Sequence, residues 1–246
     1  MSNVRLDQVS FRYKGQSQWL IDQVSLEVKS GSSVSILGPS GCGKSTLFYL
    51  LGALYPPESG KIWINEKEIT KRGLVGYMPQ DSSLFPWMTV KENILFGGKL
   101  GRSQLSFPLM HWLEKADLAQ VANHYPHQLS GGMQQRVSFL RALASGQSFI
   151  CLDEPFASLD AFTRQKMQQW LASLMDNDQT FLLITHQIEE AVLLTDRILL
   201  FPTLLKNNPE EIINPFSRSE RFQARETTGF WEFVQKIEYQ LKKQHT

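Results

Sequence analysis

The stretch GPSGCGKST, residues 38–46, decides the fold of this 246-residue chain. It follows VSILG at 34–38, an apolar run typical of a buried strand, and it precedes the helical pattern LFYLLGAL. Its three glycines allow the backbone to turn N–H groups inward around phosphate oxygens, and the helix N-terminus adds positive potential. The stretch therefore predicts a phosphate-binding loop, with an ordinary glycine-rich turn as the alternative.

Two side chains of this loop suit the outer phosphates of a nucleotide and their metal ion. Lys44 can reach the phosphates, and Ser45 can place its hydroxyl on Mg²⁺. Cys42 is expected to be a small packed side chain rather than a catalytic thiol. The nucleotide-binding residues predicted in the loop are Gly38, Pro39, Ser40, Gly41, Cys42, Gly43, Lys44, Ser45 and Thr46.

A second apolar run, in FICLDEP at 149–155, ends in two acidic residues. In open α/β sheets the carboxyl ends of the strands face the ligand crevice. Asp153 there can hold Mg²⁺, and Glu154 can orient a water molecule and accept its proton. Two acids after a strand are by themselves more typical of a cap or a turn. The upstream phosphate-binding loop favours the catalytic interpretation.

LSGGMQQRV, residues 129–137, combines a helix start with two glycines in the first turn, where glycine lowers helix stability. Ser130 can cap this helix. A helix N-terminus that has a hydroxyl at Ser130 and no side chains at Gly131 and Gly132 is a second anion site. A chain with two phosphate cradles, only one of which serves its own nucleotide, indicates that two copies complete each other.

Short apolar runs separated by helical patterns predict an α/β fold with a parallel sheet. Further strands are expected at 181–185 and 197–201, and strand-like patterns cover 4–11 and 24–28. Helices dominate about 90–145, which indicates a helical subdomain inserted into the α/β core. The stretch 202–225 is expected to be irregular, and a final helix is expected over about 229–243.

Composition narrows the class of protein. The formal net charge of +1 favours neither nucleic acid nor an anionic membrane surface as a partner. Two cysteines do not make a disulfide framework, and no signal segment is evident, so a reducing cytosolic compartment is expected. No window offers about 18 uninterrupted apolar residues, so any membrane must come from a partner.

The ordered motifs together resemble the ATP-binding cassette (ABC) ATPases over about residues 4–201. The resemblance implies a P-loop NTPase of ABC type, with a mainly parallel core sheet, an N-terminal antiparallel β part and an inserted helical subdomain. It implies an ABC ATPase domain over 1–201, its helical signature subdomain at about 90–145, and a short C-terminal extension over 202–246 that ends in a helix.

The resemblance also implies roles for single residues, with ATP and Mg²⁺ as the cofactors. Tyr13 would stack on adenine, Gln80 would touch Mg²⁺, His186 would contact the γ-phosphate, and Asp160 would lie in a loop that crosses a dimer interface. The catalytic residues implied are Lys44, Glu154 and His186, the metal ligands are Ser45, Gln80 and Asp153, and the nucleotide-binding residues outside the loop are Tyr13, Gln80, Ser130, Gly131, Gly132 and Asp160.

Each of these residues has an alternative interpretation when it is taken alone. Tyr13 suits a surface strand aromatic, and Gln80 suits an ordinary polar loop residue. His186 suits a hydrogen-bonded cap, and Asp160 suits an acid that the helix dipole stabilises. The signature carries Met133 where glutamine is commonest, and we expect little loss of chemistry from this change.

Stretches at 80–97, 129–143, 155–164 and 185–201 look like the bacterial importer branch for nitrate, taurine, aliphatic sulfonates and thiamine-pyrimidine precursors. That similarity implies a head-to-tail homodimer at the cytoplasmic face of the cell (inner) membrane, bound as a peripheral subunit to multi-span permease subunits. An extracytoplasmic solute-binding protein would act indirectly, and no nucleic acid is expected. The apolar cluster at 84–88 would receive a short helix of the permease; the alternative places Phe85 and Trp87 in the subdomain core.

The resulting hypothesis is an ATP-hydrolysing importer subunit that couples ATP binding and hydrolysis to small-solute uptake. The main alternative is a soluble ABC-type ATPase that is not tied to a membrane channel. The chain shows neither the sustained heptads nor the second P-loop that such proteins usually carry. A purely regulatory subunit is disfavoured by Glu154 and His186, and a GTPase by the lack of an N-K-x-D motif.

Overall fold

The computed structural model describes residues 4–101, 108–175, 179–201, 205–206 and 208–243. Its contacts divide the chain into two compact units. The first unit comprises Met1–Arg72 with Met175–Thr246, and the second is Gly73–Leu174.

A sheet that has five strands among the described residues opens the first unit. Its strands alternate buried and exposed side chains along much of their length, as expected where only one face is covered. The long strands pair antiparallel, so the antiparallel N-terminal part is confirmed. In spatial order the strands are β10 (Leu205–Lys206), β2 (Ile21–Val28), β1 (Val4–Phe11), β4 (Ser59–Ile64) and β5 (Lys67–Glu68).

The second sheet of this unit is mainly parallel and contains the strand that leads into the phosphate-binding loop. Strand β3 (Ser33–Leu37) pairs parallel with β8 (Thr180–Ile184) on one side and with β9 (Arg197–Leu200) on the other. All residues of β3 and β8 are buried, which explains their mainly apolar character. The expected strands at 34–38, 181–185 and 197–201 are confirmed.

In the part of the first unit that the structure describes, there are four helices. The final helix, expected at about 229–243, is confirmed, and it buries Phe230 and Ile237 on the side that faces the unit. The four helices are α1 (Lys44–Leu51), α6 (Ile188–Leu194), α7 (Arg221–Ala224) and α8 (Thr228–Lys243).

The expectation of an irregular stretch over 202–225 is wrong in three places. Leu205–Lys206 forms strand β10, which pairs parallel with β2. Glu210–Ile213 forms strand β11, antiparallel to β9 at the edge of the sheet, and α7 follows it. Residues 202–204 and 207, where the same expectation applied, lie outside the described residues. Strand β11 is stabilised by a partner strand that is distant from it in the linear pattern, and local composition does not report such a partner.

The segment after β11 is fastened to the first unit by an ionic cluster. Asp196, which precedes β9, accepts hydrogen bonds from Ser33 N at 2.9 Å and from Arg221 Nη2 at 2.7 Å, and it also pairs with Arg218. Burial alone would raise the pKa of Asp196, but the hydrogen bonds from Arg218, Ser33 and Arg221 and the charge of Arg218 hold it well below its ordinary value. Asp196 is therefore an ionised anchor for the C-terminal segment.

Within its described residues, the second unit combines a pair of parallel strands with four α-helices and two short 3-10 helices, Ala119–Val121 and Pro126–Gln128. Strand β6 (Gly76–Met78) pairs parallel with β7 (Phe149–Asp153), and β7 is buried along its whole length, as its apolar sequence predicts. The α-helices are α2 (Val90–Gly101), α3 (Leu109–Lys115), α4 (Gly131–Ala144) and α5 (Ala161–Leu174).

Helices α2 and α4 approach each other at Gly97. A Cβ atom at this position would lie 2.0 Å from the carbonyl oxygen of Arg141, so no side chain fits between the two backbones. The guanidinium of Arg141 also donates to the carbonyl oxygens of Ser82 and Ser83, both at 2.9 Å. The loop before α2 is therefore bound to α4 as well.

No helix among the described residues combines the length and the apolar character needed to cross a membrane.

Candidate nucleotide-binding site

The phosphate-binding loop lies between β3 and α1, as the sequence predicts. The side chain of Lys44 is buried, and its Nζ donates to the carbonyl oxygens of Gly38 at 2.8 Å and Pro39 at 2.7 Å. The ammonium group is thus held inside the loop by backbone dipoles. A phosphate oxygen that enters the loop meets a positive charge that is already in place.

Glycine is required at position 38 because another backbone segment of the same unit passes close to it. A Cβ atom at Gly38 would lie 2.6 Å from the carbonyl oxygen of Phe201, the residue after β9. Any larger residue would push the start of the loop away from the sheet.

Cys42 packs as the sequence analysis expected. Its side chain is buried, and its Sγ lies 3.7 Å from Lys44 Nζ. Burial raises the pKa of the Cys42 thiol despite the neighbouring lysine, so the thiol stays protonated near neutral pH.

Tyr13 follows β1 and lies against the loop. Its hydroxyl oxygen is 2.9 Å from Thr46 Oγ1, and its ring meets the rings of Phe11 and Tyr55 edge to face, at centroid distances of 5.2 and 5.7 Å. The half-buried ring is therefore held in place from two sides. This arrangement suits a platform on which a base can stack.

His186 lies in the turn between β8 and α6, and its side chain is exposed. The turn is fixed by its neighbours, because Thr185 Oγ1 accepts a hydrogen bond from Gln187 N at 3.0 Å and donates to Glu190 at 2.5 Å. Thr185 and Glu190 are both buried. The histidine is thus presented to solvent from a rigid support.

In the second unit, the acidic pair stands at the end of β7. Asp153 is buried, and Tyr77 Oη donates to its Oδ2 at 3.2 Å. Glu154 has a backbone φ of 44°, in the left-handed region that residues other than glycine rarely adopt. Such a conformation costs about 1–3 kcal/mol and is concentrated at functional sites.

Gln80, in the loop after β6, lies beside this pair. Its Nε2 is 3.5 Å from Glu154 Oε2, at the outer limit of a hydrogen bond. The structure therefore brings together a buried carboxylate, a second carboxylate on a strained backbone and an amide, which come from two separate motifs of the sequence.

The signature forms a capped helix N-terminus. Ser130 adopts an extended backbone, and its Oγ accepts from Met133 N at 3.4 Å as α4 begins at Gly131. The cap that the sequence analysis expected from Ser130 is confirmed. A Cβ atom at Gly132 would lie 2.8 Å from Thr163 Cγ2, so the approach of Thr163 requires glycine there. The N–H groups of Gly131 and Gly132 have no intrahelical acceptor and are of the kind that can bind an anion.

Asp160 caps the N-terminus of α5. Its Oδ1 accepts from Phe162 N and Thr163 N, both at 3.1 Å. Hydrogen bonds with the side chain and the backbone of Thr163, and then with the backbone of Phe162, lower the pKa of Asp160. The capping interpretation that was open from the sequence is therefore what the isolated chain shows. A role at an interface with a second chain stays a prediction.

A buried glutamine that the sequence analysis did not select connects three of these segments. Gln135, in the second turn of α4, donates from its Nε2 to Gln80 O at 3.2 Å and to Ser158 Oγ at 3.4 Å. One signal could have revealed it. Gln135 shares a helical stripe with Ser138, Phe139 and Ala142, so a polar side chain there must be buried and bonded.

In the apolar cluster at 84–88, Phe85 and Trp87 each fit a different one of the two interpretations that were open from the sequence. Phe85 is half-buried, and its ring packs edge-on against Phe96 at 4.8 Å. Trp87 is 68% exposed, although its ring lies 5.5 Å from that of Phe85. Phe85 thus belongs partly to the core, and Trp87 is a surface side chain.

The residues present fit a magnesium nucleotide. The buried Lys44 ammonium and the glycine loop suit phosphate groups. The predicted metal ligands are a hydroxyl (Ser45), an amide (Gln80) and a carboxylate (Asp153), and these hard oxygen donors are of the kind that Mg²⁺ prefers.

Comparison with known proteins agrees with these features. A family model described as "ABC transporter" matches residues 21–157. The formylaminopyrimidine import ATP-binding protein ThiZ of Halalkalibacterium halodurans is 39% identical over 199 residues, which is 79% of this chain and 78% of that protein. The taurine import ATP-binding protein TauB of Chromobacterium violaceum is 38% identical over 230 residues, 90% of this chain and 87% of that protein.

Solved structures resemble the chain as well. The ATP-binding cassette MJ0796, in a dimeric post-hydrolysis state with bound ADP and Pi, superposes with a TM-score of 0.74 at 32% identity, over 87% of this chain and all of that one. A phosphate-binding loop, an acidic pair at a strand end and a glycine-rich signature helix are thus accompanied by a family match over more than half of the sequence. The chain belongs to the ABC transporter family and is an ATP-binding cassette ATPase.

Proposed function

We propose that the chain is the ATP-hydrolysing subunit of a bacterial importer for a small solute. The observation that carries the catalytic part is the group at the end of β7, where Glu154 adopts a left-handed backbone conformation with Gln80 beside it. The importer part is supported by relatives named as import ATP-binding proteins at 38–39% identity.

In the proposed reaction, a water molecule attacks the γ-phosphate of ATP. Glu154 orients this water and accepts its proton, and the amide of Gln80 keeps the carboxylate in position. Lys44 and His186 stabilise the charge that develops on the phosphate oxygens. Tyr13 carries the adenine ring, and the backbone N–H groups of the 38–46 loop hold the phosphates.

Mg²⁺ would be held by Ser45, Gln80 and Asp153, and when bound it neutralises phosphate charge. The hydrogen bond from Tyr77 orients the Asp153 carboxylate through one of its two oxygens.

The working unit in this proposal is a head-to-tail homodimer. Each nucleotide lies on the 38–46 loop of one chain and is covered by Ser130, Gly131 and Gly132 of the other, with Asp160 near the interface. The first turn of α4 supports this arrangement, because it offers an anion site in addition to the loop that holds the chain's own nucleotide.

Mixing two inactive variants tests the shared site. Lys44→Ala damages the phosphate-binding loop, and Ser130→Arg blocks the signature. A mixed dimer then contains one intact site, built from the loop of the Ser130→Arg chain and the signature of the Lys44→Ala chain. We expect each variant alone to be inactive and the mixture to regain ATP hydrolysis. If the mixture stays inactive while the parent chain hydrolyses ATP, the shared site is wrong.

In the cell the dimer would lie at the cytoplasmic face of the inner membrane, bound to permease subunits through the surface around Trp87. An extracytoplasmic solute-binding protein would deliver the solute to the permease. Co-expression with the permease encoded beside this chain should give a stable complex with solute-stimulated ATPase activity in vesicles. ATPase activity without such a complex would favour a soluble ABC-type ATPase instead.

We also propose that residues 1–201 form the ABC ATPase domain, with the signature subdomain at about 90–145, and that 202–246 is an extension. The anchoring of Arg218 and Arg221 to Asp196 supports an extension that is fixed to the domain.

A further inference from the structure

Gln135 occupies a position from which one side chain reaches two loops. It lies in α4, five residues after the capping Ser130, and its side chain is 2% exposed. Its Nε2 carries two hydrogens, and the two acceptors are Gln80 O at 3.2 Å and Ser158 Oγ at 3.4 Å. The amide thus connects the signature helix to the loop after β6 and to the loop between β7 and α5.

Burial of a side-chain amide lowers the stability of the fold unless its polar atoms are hydrogen-bonded. The Oε1 atom of Gln135 is buried without a hydrogen-bond partner in the described part of the chain, so half of the amide's polar capacity is unsatisfied. An apolar side chain of similar length would avoid that cost. The two donated hydrogen bonds are what the glutamine supplies and an apolar side chain does not.

The two acceptors lie next to the proposed catalytic group. Gln80, whose backbone carbonyl receives one bond, has its own side-chain amide 3.5 Å from Glu154 Oε2. Ser158, which receives the other, lies four residues after Glu154 and two before Asp160, the cap of α5. A shift of Gln135 therefore reaches Glu154 from two directions, through Gln80 and through the 154–160 loop.

We propose that Gln135 is a positioning residue that fixes the loops of Gln80 and Ser158 to the signature helix. A change in the position of this helix when nucleotide binds at the signature is then passed through the two loops to Glu154. The inference rests on the proposed function. It adds a residue that touches neither nucleotide nor water in the proposed mechanism and acts through Gln80 and Ser158.

Gln135→Leu removes both donated hydrogen bonds and also removes the buried unsatisfied oxygen. In the purified full-length chain we expect the urea midpoint to stay unchanged or to rise. We expect kcat for ATP to fall by about tenfold to a hundredfold, because small misplacements in an active site have effects of this size. The dissociation constant for ATP should change by less than about twofold, since the nucleotide contacts of the first unit are untouched.

Gln168→Leu is the matched control, because Gln168 is also a buried glutamine of the second unit and lies two turns into α5. It should leave kcat within about twofold of the parent value. An equal loss of kcat in both variants would mean that Gln135 contributes only to general packing, and this result would overturn the proposal.

A double-mutant cycle with Ser158→Ala tests whether Gln135→Leu lowers kcat through Ser158 or through an unrelated defect. If Gln135 acts through Ser158, the loss of kcat caused by Ser158→Ala should be smaller by at least about threefold in the Gln135→Leu background. Independent, multiplying effects would contradict the proposed link, as would a Gln135→Leu variant with parental kcat. An inactive parent chain would instead refute the proposed function itself.

Discussion

The hydroxyl oxygens of Tyr13 and Thr46 lie 2.9 Å apart, so the aromatic ring predicted to carry the adenine is tied to the phosphate-binding loop. The ring and the loop therefore cannot move independently without breaking this hydrogen bond. We therefore expect base binding and phosphate binding to be coupled within this unit.

Tyr13→Ala should weaken ATP binding by about fivefold to a hundredfold, because a base stacked on an aromatic ring contributes about 1–3 kcal/mol. Tyr13→Phe keeps the ring and loses only the hydrogen bond to Thr46, so its loss should be much smaller. Titration with a fluorescent ATP analogue measures both. Equal losses in the two variants would mean that the hydroxyl, and not the ring, supports the nucleotide.

Glu154→Gln should lower kcat by at least about a hundredfold, the usual contribution of a general base, while ATP still binds. The amide retains the shape of the side chain but cannot accept the proton. The variant should also accumulate as an ATP-bound dimer in size-exclusion chromatography.

Glu58→Gln is a suitable control for Glu154→Gln, since Glu58 pairs with Arg12 at the surface. It should hydrolyse ATP at the parental rate. Near-parental hydrolysis by Glu154→Gln would refute the role assigned to Glu154.

Gly38→Ala should destabilise the protein by about 1–3 kcal/mol, the usual cost of overpacking, because the new Cβ atom would collide with the carbonyl oxygen of Phe201. ATP affinity should fall with it, since the loop must shift. Gly229→Ala is the control, because a Cβ atom at Gly229 in α8 meets no atom within 4 Å. It should be neutral or stabilising by up to about 1 kcal/mol in urea unfolding.

Asp196→Asn should lower the free energy of unfolding at pH 7 by about 2–4 kcal/mol, because it leaves the buried Arg221 without its counter-charge. The pKa of Asp196 is lowered in the folded protein, so its ionisation stabilises the fold above the ordinary aspartate pKa of about 3.9. That contribution is lost as the pH falls below this value.

Between pH 5 and pH 3 the parent should therefore lose about 1 kcal/mol more stability than Asp196→Asn does. Urea unfolding at the two pH values measures the difference. Parallel pH profiles for parent and variant would show that Asp196 titrates normally in the folded protein.

Trp87→Ala should leave the stability of the isolated chain within about 0.5 kcal/mol, since most of the side chain is already in water. Its ATPase activity should also be unchanged, while binding to the permease weakens. Phe85→Ala should instead cost about 1–3 kcal/mol, because its half-buried ring packs on Phe96. Permease binding by Trp87→Ala at parental affinity would place the contact elsewhere.

Much of the fold follows from local pattern. Strands β3, β7 and β8 are buried on both faces, so their apolar runs mark them, and the glycines of residues 38–46 mark the loop. Strand β11 could not be predicted in this way. Its sequence, EEII, is no more apolar than its surroundings, and it is stabilised by pairing with β9.

The candidate site, like the fold, could be predicted from the sequence only in part. Motif order selected Gln80 and Glu154 in separate stretches, but their approach to 3.5 Å depends on how β6 and β7 pair. The left-handed backbone of Glu154 has no signature in a sequence, because glutamate rarely adopts it. Gln135 was missed since a glutamine one turn into a helix is usually solvated, and only the burial of its stripe reveals it.

The meeting of α2 and α4 at Gly97 has a mechanical consequence. Where two helices pack through side chains, a change of rotamer can accommodate a small displacement. At Gly97 the two backbones are in direct contact, so no side chain can accommodate it. We therefore expect the two helices to move together as one stiff body. A larger side chain at Gly97 would force the two backbones apart, while the nucleotide contacts of the first unit would be untouched.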